Sequence, residues 1–299
     1  MKNTALLLAF ISLSAIIFGQ TEKTPKIKIS DLGIYQGMNN HYNVNVGLAD
    51  FTKLAPSSEM LTNDFTGFPK SDTYMGSLTN DNVFTINLGF QFYNTEKQSY
   101  SSNPTLNLGV TFIGASPLSA YYSKTENNRF DTLSSASSSY LFFMDSVTNQ
   151  SYQMNYLYQQ LGINANLIFR TQHHARWSLY GGIGISAAVS LMSATHIYYN
   201  YSESINYVFP NSSSNYSFSD YENNNYEMYN EIHPNKTNIS LFTYIPLGID
   251  FRIAKKNEFW NKIHLILELQ PGLAVDYFPE LGTRTYGTMR ANFGMRIEI

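Results

Sequence analysis

The chain has 299 residues, no cysteine, a formal net charge of -3, 14% charged residues and 15% aromatic residues. Soluble domains average about 25% charged residues and disordered chains are poor in aromatics, so this composition excludes disorder. With 19 basic and 22 acidic residues no basic surface for nucleic acid stands out, and after residue 20 no apolar run approaches the ~18 residues of a spanning helix.

The first segment reads as a secretory signal peptide over residues 1–19. Lys2 is the positive start, Ala5 to Phe18 the apolar stretch broken by Ser12 and Ser14, and Gly19 the small residue before cleavage. Removing Lys2 leaves 18 basic and 22 acidic residues, a mature charge of about -4. Without cysteine the exported chain has neither disulfides nor a lipid-bearing thiol. If it is held at a membrane, its own fold must do it.

Period-two hydrophobicity dominates the mature chain, residues 20–299, which reads as one domain. The first strand is the least regular: Tyr42, Val44, Val46 and Leu48 face one way, with Leu32 and Ile34 in the same parity upstream. Asp50 to Leu61 reads as a short helical turn outside the barrel. Phe84–Phe92, Leu106–Phe112 and Leu161–Phe169 then alternate apolar residues with Thr, Asn, Gly and Gln. From Trp177 to Leu191 the alternation lasts 15 residues, far beyond the typical strand of about 5–6. Leu241–Ile253, Ile263–Val275 and Met289–Ile299 complete eight segments.

Both soluble sheets and membrane barrels alternate, and three features favour the barrel. None of the 11 lysines of the mature chain lies in a strand core, whereas the polar faces carry Gly, Ser, Asn, Thr and Ala, which fit a narrow lumen. Connections alternate long (51–82, 123–150, 201–236, 276–286) and short (94–104, 172–176, 254–262), as between extracellular loops and periplasmic turns. Several long loops are expected to begin as strands. Trp177, Phe259 and Trp260 suit one interfacial aromatic girdle, and Tyr121, Tyr122, Tyr156, Tyr158, Tyr198, Tyr199 and Tyr277 the other. The expected fold is all-β: a transmembrane antiparallel up-and-down β-barrel of 8 strands, or alternatively 10, with both termini periplasmic.

The last residues place Asn292, Gly294, Ile297 and Ile299 in a pattern that resembles the C-terminal insertion signal of outer-membrane barrels, with a terminal Ile where an aromatic is commoner. FTYIPLGIDFRI, a turn and IHLILELQPGL are similar to the strand pair near the end of the PorT-like outer-membrane β-barrel proteins of Gram-negative bacteria. The resemblance implies a multi-pass outer-membrane location, lipid as surroundings and the barrel-assembly machinery as a partner during insertion. It implies no particular activity.

The charges of the strand cores, Arg170, Asp250, Arg252, Glu268, Arg290, Arg296 and Glu298, share the polar parity. They read as a lumen network that plugs the barrel, in preference to a narrow ion path. Pairing the last two strands is expected to set Glu268 diagonally near Arg296, with Asn292 on its other side. His264 and Glu268, four residues apart on one face, are about 13 Å apart, too far to pair. His173 and His174 read as a solvated turn, and the glycines of Tyr180–Gly184 as close packing in the lumen. No cofactor or metal set is expected. Ser193 and His196, with His233 and Asp220 in or beyond the next loop, are rim candidates for a nucleophile–base pair, although serine is so abundant in these loops that such a neighbourhood is expected by chance. The leading expectation is a non-enzymatic structural or adhesive barrel, or one accessory to a secretion or surface complex. The alternatives are a small-solute binding or transport barrel and, third, a rim hydrolase or acyltransferase.

Overall fold

The computed structural model describes residues 26–42, 44–63, 68, 78–95, 98–100, 103–134, 141–171, 175–208, 217–254 and 256–299. Residues 1–19, where a signal peptide is expected, and His173 and His174 lie outside the described residues. The elements in chain order are β1 (Ile27–Tyr42), β2 (Val44–Asn45), α1 (Leu48–Leu54), α2 (Glu59–Asn63), β3 (Leu78–Asn94), β4 (Ser99–Tyr100), β5 (Thr105–Ser134), β6 (Leu141–Arg170), β7 (Trp177–Val208), β8 (Ser217–Pro234), β9 (Ile239–Tyr244), β10 (Leu247–Arg252), β11 (Ile263–Phe278) and β12 (Gly282–Glu298).

Antiparallel pairing runs β1–β3–β5–β6–β7, then through the collinear β9 and β10 to β11 and β12. β12 returns to β1, with Leu32 opposite Ile297 and Gly37 opposite Asn292. The ring therefore closes with eight staves, and closure removes the unpaired sheet edges of an open sheet. The stave made of β9 and β10 is interrupted at Ile245–Pro246, because proline has no N–H to give the ladder. The Ile245 N–H keeps the stave attached by donating to the Pro271 carbonyl at 3.0 Å.

Alternation sends apolar side chains outward. Phe84, Ile86 and Leu88 on β3, Leu179, Ile183 and Ile185 on β7 and Leu265, Leu267 and Leu269 on β11 are all exposed, Ile183 at 66%. Their neighbours Thr85, Asn87, Ser178, Ser186, His264 and Glu268 are buried. A greasy outside around a polar inside is stable only where lipid replaces water, so the fold is a transmembrane β-barrel of the outer-membrane type. Trp177 packs on Phe251 at 4.3 Å and Phe259 on Trp260 at 5.3 Å on the outer surface at the terminal end, the end that holds residue 299 and the shorter turns.

The interior changes character towards the opposite, far end. On β5 the ladder jumps from Ala115 to Leu118 across Ser116–Pro117, and on β7 Leu191 is left out between Ser190 and Met192. Both irregularities lie at the level of Gln159 of β6, which pairs with Gly114 on one side and Met192 on the other. Each extra residue reverses which parity faces inward. Above this level Leu118, Ala120 and Tyr122 of β5 and Ile197 of β7 point in, beside Tyr152, Met154, Tyr156 and Tyr158 of β6. β5, β6 and β7 then run on with β8 as a four-stranded sheet. It extends roughly 17 residues, about 55 Å of extended chain, beyond the bulges.

Several expectations are corrected by this arrangement. The first stave is Ile27–Tyr42, and Val46 has left the barrel wall for the interior core. Asp50–Leu61 is helical in part but lies inside: Phe51, Leu54 and Ala55 are buried against Leu118, Tyr122, Tyr156 and Phe278. Full burial of Phe51 and Leu54 is worth about 1.5–3 kcal/mol each, which outweighs any tendency of this stretch to stay in water. Tyr122, Tyr156 and Tyr158 are core residues under these helices and do not form a girdle, whereas Tyr277 is outward and exposed. Much of 123–150 and 201–236 is strand, because the ladder continues past the lipid belt. Segment 276–286 is a tight turn, with Phe278 paired to Gly282.

Candidate functional site

Near the terminal end the lumen gathers three carboxylates and three guanidiniums. Arg296 on β12 donates through Nη2 to Asp250 Oδ2 of β10 at 2.8 Å and through Nε at 3.1 Å. Arg170 Nε stands 3.6 Å from the same carboxylate, and Arg296 Nη1 is 3.8 Å from Asp31 and 3.3 Å from Glu298. Arg252 reaches Glu298 at 3.5 Å. His264 sits between, with Nδ1 at 2.5 Å from Asp250 and Nε2 at 3.3 Å from Glu298. Arg296 and His264 are almost wholly buried, and the balance of formal charge makes that burial tolerable.

One layer further in, Glu268 accepts from the Tyr180 hydroxyl at 2.8 Å, the Gln270 amide at 2.6 Å and the Asn292 amide at 3.2 Å. Arg290 lies 4.8 Å from the Phe242 ring centre. Register corrects the expected partners: Glu268 is directly opposite Asn292, and Arg296 is opposite His264. His264 and Glu268, too far apart along their strand to pair, have separate partners. The contacts of His264 come from β10 and β12, so along-strand spacing carries no signal of them. Asp31 and Tyr180 were not picked out; their inward parity was the signal available. The tyrosine rings lie over glycines, Tyr244 over Gly184 and Tyr180 over Gly248, where any Cβ would overlap the ring. Of the C-terminal pattern, Asn292 and Gly294 face the lumen and Ile299 is exposed.

At the far end the α1–α2 segment is pinned to the wall. The Asn235 amide donates to the Leu54 carbonyl at 2.6 Å while its carbonyl accepts from Thr195 at 2.8 Å. Arg284 Nη2 lies 3.4 Å from Asp50. Glu231 of β8 accepts from Ser58 Oγ at 2.6 Å and from the Met60 N–H at 3.3 Å, and its Oε2 lies 2.9 Å from His233 Nε2. Burial pushes the Glu231 carboxyl up, but the bonds from Ser58, His233 and Met60 together outweigh it and hold the group below the ordinary glutamate range.

The rim residues singled out from sequence do not assemble. Ser193 donates to the carbonyls of Asn235 and Lys236 at 3.2 and 2.9 Å. His196 is 3.4 Å from the Tyr198 hydroxyl and, with Ser193, Met192, Gln159 and the buried Tyr158, lines a cavity at the level of the two bulges. Ser193 and His196 border the same cavity, yet the serine hydroxyl is directed at backbone carbonyls and the imidazole at Tyr198, so neither is aimed at the other. Asp220 pairs with Ile205, while His233 pairs with Thr195. Among the described residues no group of three or more His, Cys, Asp or Glu is arranged to hold a metal ion.

Comparison with protein-family models and with curated proteins gives no match. Among solved structures the chain is similar to Neisserial surface protein A (9% identity, 91% of this chain and 99% of that one, TM-score 0.30). It is also similar to Ail, the attachment invasion locus protein of Yersinia pestis, crystallised with the heparin analogue sucrose octasulfate (12% identity, 90% and 100%, TM-score 0.24). At such low similarity the barrel assignment rests on the strand register of the chain itself.

Proposed function

We propose that the protein is an outer-membrane barrel of PorT-like kind in a Gram-negative bacterium, exported by residues 1–19. It displays its far-end sheet at the cell surface as an adhesive or accessory component of a surface complex. The sequence pattern of Asn292, Gly294, Ile297 and Ile299 supports recognition by the barrel-assembly machinery. Display itself requires no catalytic chemistry. The packed ionic lumen and the inward helices weigh against a transport role.

One observation carries this reading. The sheet formed by β5 to β8 continues past the lipid belt, and residues 194–208 and 217–235 within it contain Glu203, Asp220, Glu222, Glu227 and Glu231 but no lysine or arginine. The same stretches are rich in Tyr, Asn and Ser, the residue types that give rigid contact area and adaptable hydrogen bonds in recognition surfaces. Charge complementarity then favours a cationic partner. The test is co-purification from detergent-solubilised membranes at low and high salt, with Glu203→Lys/Glu227→Lys as the comparison. A basic partner released by salt and lost in the variant supports the reading. Unchanged retention, or no associated protein, opposes it.

A further inference from the structure

Ser57, His233 and Glu231 come from distant parts of the chain and meet in one line. The turn between α1 and α2 presents Ser57, whose exposed Oγ lies 3.3 Å from His233 Nδ1. On the other side of the ring, His233 Nε2 is 2.9 Å from Glu231 Oε2. The carboxylate is itself fixed by Ser58 Oγ and the Met60 N–H. With the ring proton on Nε2 and donated to Glu231, the Nδ1 lone pair faces the Ser57 hydroxyl. A hydroxyl, an imidazole within reach and a held carboxylate behind it form the arrangement of an activated serine nucleophile.

We propose that Ser57, His233 and Glu231 form a hydrolytic site for water-soluble, short-chain carboxylic esters at the far-end mouth of the barrel. In the acylation step Ser57 Oγ attacks the ester carbonyl carbon as its proton passes to His233 Nδ1. The carbon–alkoxy bond breaks, and the alcohol leaves with that proton. Water then attacks the acyl-serine, giving one proton to His233. The acyl carbon–Oγ bond breaks, the carboxylic acid departs, and His233 returns the proton to Ser57 Oγ. Glu231 is the positioning residue, keeping the ring in the required tautomer and stabilising the imidazolium.

The substrate class follows from location. Ile232, between the two β8 residues, points outward and is 59% exposed, so Glu231 and His233 face the mouth and not the lipid. An ester reaching them arrives from water. Ser193 is a contrast, because its hydroxyl donates to backbone carbonyls. The site goes beyond the binding role and departs from the expectation of a non-enzymatic barrel.

The test is covalent labelling of the purified full-length protein in detergent with a fluorophosphonate probe, alongside p-nitrophenyl acetate hydrolysis. The expected result is a single label mapped to Ser57, lost in Ser57→Ala and kept in Ser193→Ala. His233→Gln should slow labelling by about 10²–10⁴-fold, the range of general-base catalysis. Glu231→Gln should move the pH profile of the residual rate. Because Ser57 is exposed, Ser57→Ala leaves the packing intact and decides the matter even if His233→Gln fails to fold. No label above that of heat-unfolded protein, a label elsewhere, or labelling that persists in Ser57→Ala overturns the proposal.

Discussion

Arg296 and Asp250 are joined at 2.8 Å across the lumen although their strands, β12 and β10, are not neighbours. β11 lies between them and contributes His264 to the same contact. Three consecutive staves are therefore tied by side chains as well as by backbone ladders. The tie lies where the chain end joins β1, through the Ile299 N–H and the Ser30 carbonyl. The closing seam pairs the two most distant parts of the chain, so its loop-closure cost is the largest of any seam.

Replacing Arg296 by Met removes this tie and leaves Asp250 buried without its best partner. Breaking a buried pair from one side costs about 3–5 kcal/mol. The folded, heat-modifiable band on a gel should convert to the unfolded form at a clearly lower temperature than wild type. An unchanged midpoint would mean that Arg170 and His264 suffice for Asp250.

Leu267 and Glu268 are adjacent and point to opposite media. Leu267→Arg puts a charge into lipid at a cost of roughly 2–4 kcal/mol near mid-membrane. Glu268→Ala removes a group whose partners Tyr180, Gln270 and Asn292 are polar but neutral. The membrane-inserted fraction should fall far more for Leu267→Arg. Equal loss for the two variants would count against the face assignment.

Gly248 lies under the Tyr180 ring, which donates to Glu268. Gly248→Val must push that ring aside, and overpacking of this kind costs about 1–3 kcal/mol. The loss should shrink when Tyr180→Phe, which already lacks the hydrogen bond, is the background. Double-mutant analysis of the thermal midpoints checks this coupling.

Glu231 sets a pH dependence on the helices in the mouth. Its folded value is depressed, so its contribution is complete above the ordinary glutamate value of 4.5 and disappears as pH falls through the folded value. Protease cleavage within 48–63 should therefore be slow at neutral pH and rise below pH 4.5. In Glu231→Gln that pH step should be much reduced. A step of full size in the variant would assign the effect to another group.

Local pattern determined a great deal here. Period two from Trp177 to Leu191, with no lysine in any of the alternating segments although β1 does include Lys28, specified strands, their lipid face and a polar inside, because side-chain direction in a strand follows from parity alone. It also placed Arg170, Asp250, Arg252, Glu298 and Arg296 on the interior side. Partners were another matter. Whether Arg296 meets Glu268 or His264 depends on register, which a one-residue shift changes and which is set jointly by all the staves. Two inserted residues, at Ser116–Pro117 and at Leu191, reversed parity on β5 and β7 and so put Tyr122 and Ile197 inside, a consequence no single strand reveals. The inward docking of α1, and with it the meeting of Ser57 with His233 across 176 positions, was decided only by the closed wall that gave Phe51 and Leu54 somewhere dry to go.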